Sequence, residues 1–252
     1  SNNAQWFEDN SPVDTRFKKE SVKGVTAKVI TVVQLAGDCY PTPPIGINLP
    51  NADWIRKEHG SKSVSIQNIT YAYEKASFGN GMLEEFVNSE EECELARKYG
   101  PLASNLHTDL HECLGHGSGQ LLPGISTDAL KSYQSTLEET RADLFALYYI
   151  MDPKLIELQV IPDIKVAIAE YNSFIRNGLL TQLVRIEHGK NIEESHMRNR
   201  QLIAKWCYEK GKAENVIEIF NDNNKTFVRI NDYNKLRLLF AELLAEVQRI
   251  KS

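Results

Sequence analysis

Asn105 to Gln120 reads Asn-Leu-His-Thr-Asp-Leu-His-Glu-Cys-Leu-Gly-His-Gly-Ser-Gly-Gln, and the reading of the chain turns on it. His111 and His116 flank Glu112, with Cys113 and Leu114 between and glycines directly after. Zinc hydrolases need this set of groups: neutral imidazoles to hold the metal, a carboxylate to take a proton from its water, and a coordination position left for substrate.

The spacing decides how such a site is built. Histidines four apart stand about 40° apart around a helix and project from one face. Here they are five apart, about 140° on an ideal helix, so an unbroken helix aims only one ring at a metal. A single-turn π-bulge absorbs the extra residue, and Gly115 has no side chain to crowd the widened turn. Two other readings stand beside this one. His107 and His111 have true i, i+4 spacing, but Thr108 follows His107, so that pair could bind metal without the adjacent glutamate. An ordinary helix with core or surface histidines is the other.

One element later, Glu138-Glu139-Thr140-Arg141-Ala142-Asp143 opens an apolar helix running on to Ile150. Glu139 and Asp143 are four apart and share a face, so one can ligate a metal while the other reaches a ligand imidazole. Alone, this segment reads as a solvated Glu/Arg face. Beside the histidine motif, the metal reading is preferred.

The two motifs together, H-E-x-x-G-H then E-E-x-R-A-D, resemble the signature pair of the dipeptidyl peptidase III family, zinc-dependent exopeptidases that remove dipeptides from the N-termini of oligopeptides. Gly46 to Asn51 resembles the family's peptide-binding strand segment, and Glu194 to Arg200 its catalytic-histidine helix, in the family's order. The resemblance implies Zn²⁺ held by His111, His116 and Glu139, Glu112 as general base, and His196 bonding the developing oxyanion. It implies Glu138 and Asp143 as orienters of the ligand imidazoles, Asn48 and Asn51 as holders of the substrate α-amine, and Arg200 as a partner for substrate oxygen. The family's enzymes carry a second lobe across a cleft, for which this chain has no counterpart. The alternative is a zinc-retaining peptide-binding or interaction domain, inactive without that lobe.

Composition limits the rest. A chain of 252 residues, 42% hydrophobic and 25% charged, can bury a substantial core. Net charge of -5 and pI near 5.8 give no general draw to nucleic acid or anionic membrane. There is no apolar run of membrane-spanning length and no leading signal, and Cys39, Cys93, Cys113 and Cys207 lack metal or disulfide spacing, so reduced thiols and a cytoplasmic setting are expected.

The predicted fold is mostly α, a helical zinc-binding lobe with a few short strands and a Pro-rich extended segment. Residues 1–36 are a polar lead-in and, from Phe17, a helix on Val22, Val25, Val29, Ile30 and Val33. Residues 37–66 hold the extended segment, with four of the nine prolines by position 50, a short helix over 52–60 and a strand-like passage at 64–66. Residues 67–252 form the catalytic domain. Its helices are expected over 68–76, 82–99, from Pro101 into the metal motif, 128–150, 163–188 interrupted by Gly178, 192–210 and 232–250, with a strand at 225–230. The glycines after His116 imply a flexible passage, and the ending straight after a helix reads as a fragment of a longer two-lobed enzyme.

Overall fold

The computed structural model describes residues 2–22, 26–33, 43–49, 62–77 and 79–252, with positions 36, 55 and 59; side chains at 26, 27, 48, 63, 74, 77 and 127 fall outside it. The architecture is mostly α, as the sequence predicts. In chain order the elements are α1 (Ala4–Asp9), β1 (Thr26–Ile30), β2 (Gly46–Leu49), β3 (Lys62–Ile66), α2 (Gln67–Ser77), α3 (Met82–Phe86) and α4 (Glu90–Leu110). A π turn (His111–Gly115) follows, then α5 (Gln134–Ile150), α6 (Pro153–Glu157), α7 (Lys165–Leu179), α8 (Ser195–Lys210), β4 (Ile217–Asp222), β5 (Lys225–Ile230) and α9 (Tyr233–Lys251). The short helix expected over 52–60 lies largely outside the described residues.

The core is a helix cluster around α5, which is buried on nearly every side: Ala142, Leu144, Phe145, Ala146, Leu147, Tyr149 and Ile150 are all sealed from solvent. Helices apolar all round are central ones. Against it pack α4, α8 and α9, while α7 fills the space between α4 and α8. Caps set the boundaries. Ser89, Asp152, Glu194 and Asp232 each accept backbone N–H bonds in the first turns of α4, α6, α8 and α9.

Several expectations need correction. Residues 26–30 are a strand, not part of a helix from Phe17. Thr26, Val29 and Ile30 are β-branched, and the pleated surface suits such residues better than a helical turn. β1 runs parallel to β3, which pairs antiparallel with β2, so β3 is central and the segments 1–36 and 37–66 share one sheet. The lead-in contains α1, whose Phe7 is buried edge-on against Tyr149, and Tyr149 donates to the Phe7 carbonyl at 2.5 Å. The helix expected over 82–99 is broken at 87–89. Pro101 does not restart the chain but sits inside α4, which runs unbroken from Glu90 to Leu110. The helix expected over 163–188 does break beside Gly178: α7 ends at Leu179 and a separate 3-10 turn spans Thr181–Arg185. Gly178 also lets α7 lie against α8, since a Cβ there would come within 2.5 Å of Ala204 Cβ and the Arg200 carbonyl oxygen. β4, not foreseen, pairs with β5.

Candidate metal centre

α4 ends at Leu110 and the chain widens into the π turn, closed by the His116 N–H donating to the His111 carbonyl at 2.9 Å. That i to i+5 bond takes up the extra residue. The rings of His111 and His116 therefore meet, with centroids 4.7 Å apart and planes at 88°. Gly115 is needed for a further reason. A Cβ on it would lie 2.8 Å from both Cα and O of Ala142, so its missing side chain lets the π turn touch the backbone of α5.

This contact brings the second motif within reach. Glu139 Oε2 lies 3.1 Å from His111 Nε2 and 3.7 Å from His116 Nε2, with His196 Nδ1 3.5 Å away. The oxygen is buried, yet none of these contacts is an aligned hydrogen bond. Three electron-pair donors, two imidazole nitrogens and a carboxylate oxygen, thus face a common point and could hold a metal ion.

Behind that point each ring is held by a carboxylate. Asp143 Oδ1 is 2.6 Å from His111 Nδ1, and Glu138 Oε1 is 2.8 Å from His116 Nδ1. Those contacts hold the rings turned so that both Nε2 atoms face Glu139. Glu138 is braced in turn by Arg141, which also donates to the Ser118 carbonyl and hydroxyl, and by Lys251 of α9. Burial would raise the Glu138 pKa, but Arg141, Lys251 and His116 hold it well below the usual carboxylate range. Asp143 is likewise held well below it, against burial, by His111 and His107. Glu139 is lowered by His111, His116 and His196 despite its burial. Burial opposes protonation of His111, but Asp143 and Glu139 outweigh it and raise the pKa to about 10.

Glu112 occupies the π turn and faces β2: a Cβ on Gly46 would lie 3.5 Å from Glu112 Oε1. β2 is an edge strand, paired only with β3 among the described residues, and passes over the turn. His196, 55% exposed in its side chain, stands at the open side of the cluster, its ring 6.4 Å from that of His111. Arg200 reaches Gln182 at 3.4 Å on the segment after α7. Asn48 lies in β2 opposite Ser63, its side chain beyond the described atoms; Asn51 lies outside the described residues.

His107, one turn before His111, belongs to the cluster without facing the common point. Its Nε2 is 3.0 Å from Asp143 Oδ1 and its Nδ1 is 2.9 Å from Glu170 Oε1. A second donor set, His107, His111 and Asp143, is close enough for a metal, but its carboxylate oxygen is already shared by both rings. Sequence reasoning missed Glu170 altogether. The signal was a carboxylate in the apolar stripe of α7, three residues after Ala167 and four before Phe174. The glycine passage after His116 is pinned rather than loose: Glu8 accepts from Gly119 N–H at 3.0 Å, and Lys19 donates to the Gly117 carbonyl at 2.5 Å. Cys93, Cys113 and Cys207 are buried, and Cys39 lies outside the described residues.

A helical scaffold with a buried histidine–carboxylate cluster at a π turn defines the class, an α protein built around a candidate metal centre. The comparisons narrow it. Peptidase family M49 matches residues 1–131 and 124–247, and the chain belongs to that family. It is 27% identical over 224 residues to Nudix hydrolase 3 of Arabidopsis thaliana, covering 83% of this chain and 26% of that one. It is 25% identical over 238 residues to mouse dipeptidyl peptidase 3, covering 80% and 31%. The chain thus spans about a quarter to a third of these relatives. The solved structure of DPP III from Caldithrix abyssi superposes with a TM-score of 0.75 at 24% identity, over 99% of this chain and 45% of that one, and shares the fold. Among the described residues, no helix is long and apolar enough to cross a membrane.

Proposed function

We propose that the chain is the zinc-binding portion of a cytoplasmic metallopeptidase that releases dipeptides from the N-termini of oligopeptides. The observation that carries this is the convergence of His111 Nε2, His116 Nε2 and Glu139 Oε2, a buried oxygen near three ring nitrogens without one aligned hydrogen bond. Two imidazoles and a carboxylate form the donor set of a catalytic zinc site with a position left open. Zinc held there would lower the pKa of a bound water and polarise the scissile carbonyl.

The chain's own groups supply the rest. Asp143 and Glu138 keep the two rings turned inward. Glu112 accepts a proton from the attacking water at its carboxylate and returns it to the leaving amine. His196, on the open side, donates a hydrogen bond to the developing oxyanion. The edge strand β2 pairs with the peptide backbone, which suits a site that takes many sequences. Asn48 and Asn51 hold the free α-amine, and Arg200 a substrate carbonyl or carboxylate oxygen.

The test uses the full-length protein. Glu112→Gln is expected to keep its zinc by elemental analysis and lose about 10²-fold or more in turnover of a dipeptidyl chromogenic substrate. His116→Ala is expected to lose the zinc. A Glu112→Gln enzyme turning over at the wild-type rate rules the general-base role out.

A further inference from the structure

Behind the candidate metal ligands lies a line of alternating carboxylates and imidazoles that the proposed reaction does not use. Glu170 of α7 contacts His107 Nδ1 at 2.9 Å; His107 Nε2 contacts Asp143 Oδ1 at 3.0 Å; the same Asp143 oxygen meets His111 Nδ1 at 2.6 Å. Glu170, Asp143 and His111 are all buried, and the His107 side chain is 12% exposed. The His107 ring also stacks on Phe174 of α7, centroids 5.6 Å apart and planes within 20°. Three helices, α4, α5 and α7, meet through this one side chain.

The geometry restricts what His107 does. Both ring nitrogens face carboxylate oxygens, so neither nitrogen is presented to the common point of His111, His116 and Glu139. The Glu170 contact is close without being an aligned hydrogen bond, whereas the bond to Asp143 is aligned. Glu170 and Phe174 thus fix the ring from the α7 side, and the ring delivers one directed bond to Asp143. An aspartate with only one partner could swing about its side-chain torsions. One gripped from two sides presents its oxygen to His111 in a single orientation, and so aims His111 Nε2.

We propose that His107, seated by Glu170 and Phe174, is a positioning residue for the metal centre, acting through Asp143 to aim His111. The proposal rests on the zinc reading above. Partners of this kind, removed from the metal by one group, change metal affinity by about 10- to 100-fold when lost.

The test is zinc affinity of the full-length protein, measured by competition with a chromophoric chelator, with circular dichroism to check the fold. His107→Phe keeps the aromatic stack and removes both nitrogens. It is expected to weaken zinc binding at least about tenfold. His107→Gln retains one amide donor toward Asp143 and is expected to recover most of that loss. In the cobalt-substituted protein, His107→Phe should also shift the visible d–d bands, because the ligand field changes when one ligand ring is free to turn. Should His107→Phe not fold, Glu170→Gln serves instead, with a smaller loss of affinity expected. Wild-type zinc affinity in whichever of these two variants folds overturns the proposal. If that happens while His111→Ala loses the metal, the zinc reading survives alone. If the wild-type protein binds no zinc, both fall.

Discussion

Gly115 shows how a single residue couples the two motifs. The spacing of the histidines calls for a widened turn, and a glycine there is legible in the sequence as a residue that permits it. What the sequence does not display is the backbone of α5 against it. An added Cβ would sit 2.8 Å from Ala142 Cα and O and 2.9 Å from its Cβ, and backbone cannot yield as a flexible side chain does. Gly115→Ala is therefore expected to cost about 1–3 kcal/mol, the range for overpacking, and to drive Glu139 and Asp143 away from the histidines. Urea unfolding and zinc content together check this. Stability loss with full zinc affinity would mean that the π turn does not depend on that contact. His107 and Glu170 mark the limit of reading residue by residue. His107 was visible as an i, i+4 partner of His111, but what occupies its other face comes from a helix some sixty positions later.

Among the elements, those whose signals are local were legible. Helices α8 and α9 start at side-chain caps, Glu194 and Asp232, α5 stops just before Asp152-Pro153, and β5 follows an Asn-rich turn. β1 was misread because Val22, Val25, Val29 and Val33 fall three and four apart in the sequence, as on a helix. Its true partner is β3, some 36 positions on, and non-local pairing leaves no mark in a short window. Pro101 misled in the opposite direction. A proline inside a helix costs about 3 kcal/mol, yet α4 stays helical through it, packed on α7 and α5. Close helix approach yields a prediction at this scale. Gly178→Ala places a methyl 2.5 Å from both Ala204 Cβ and the Arg200 carbonyl oxygen, so α7 and α8 must separate. A lowered Tm, corresponding to about 1–3 kcal/mol, is expected, with KM rising because α8 carries His196 and Arg200. An unchanged Tm would show that the two helices slide freely.

For the molecule as a whole, the buried cluster ties stability to pH, with a sign that depends on the metal. Burial disfavours the charged rings, but the carboxylates prevail. Glu170 and Asp143 raise the His107 pKa to about 9, and Asp143 and Glu139 raise His111 to about 10, from 6.5. Groups raised on folding contribute stability that is complete below the unfolded value and lost as pH climbs through the folded one. Asp143 and Glu138, depressed on folding, contribute above ordinary carboxylate values and lose that contribution on acidification. The metal-free protein is therefore expected to weaken from about pH 6.5 toward 10, and separately in acid. Zinc changes the alkaline side. It takes the His111 lone pair that the proton otherwise holds, so raising the pH removes its competitor and its binding adds more stability. Urea midpoints at pH 6.5 and 9.5, with chelator and with excess zinc, decide the matter. The chelated midpoint should fall between the two pH values while the gap between chelated and loaded protein widens. A chelated protein more stable at pH 9.5 than at 6.5 would mean that the carboxylates do not grip the rings as described, and that the centre depends on the metal to draw its ligands together.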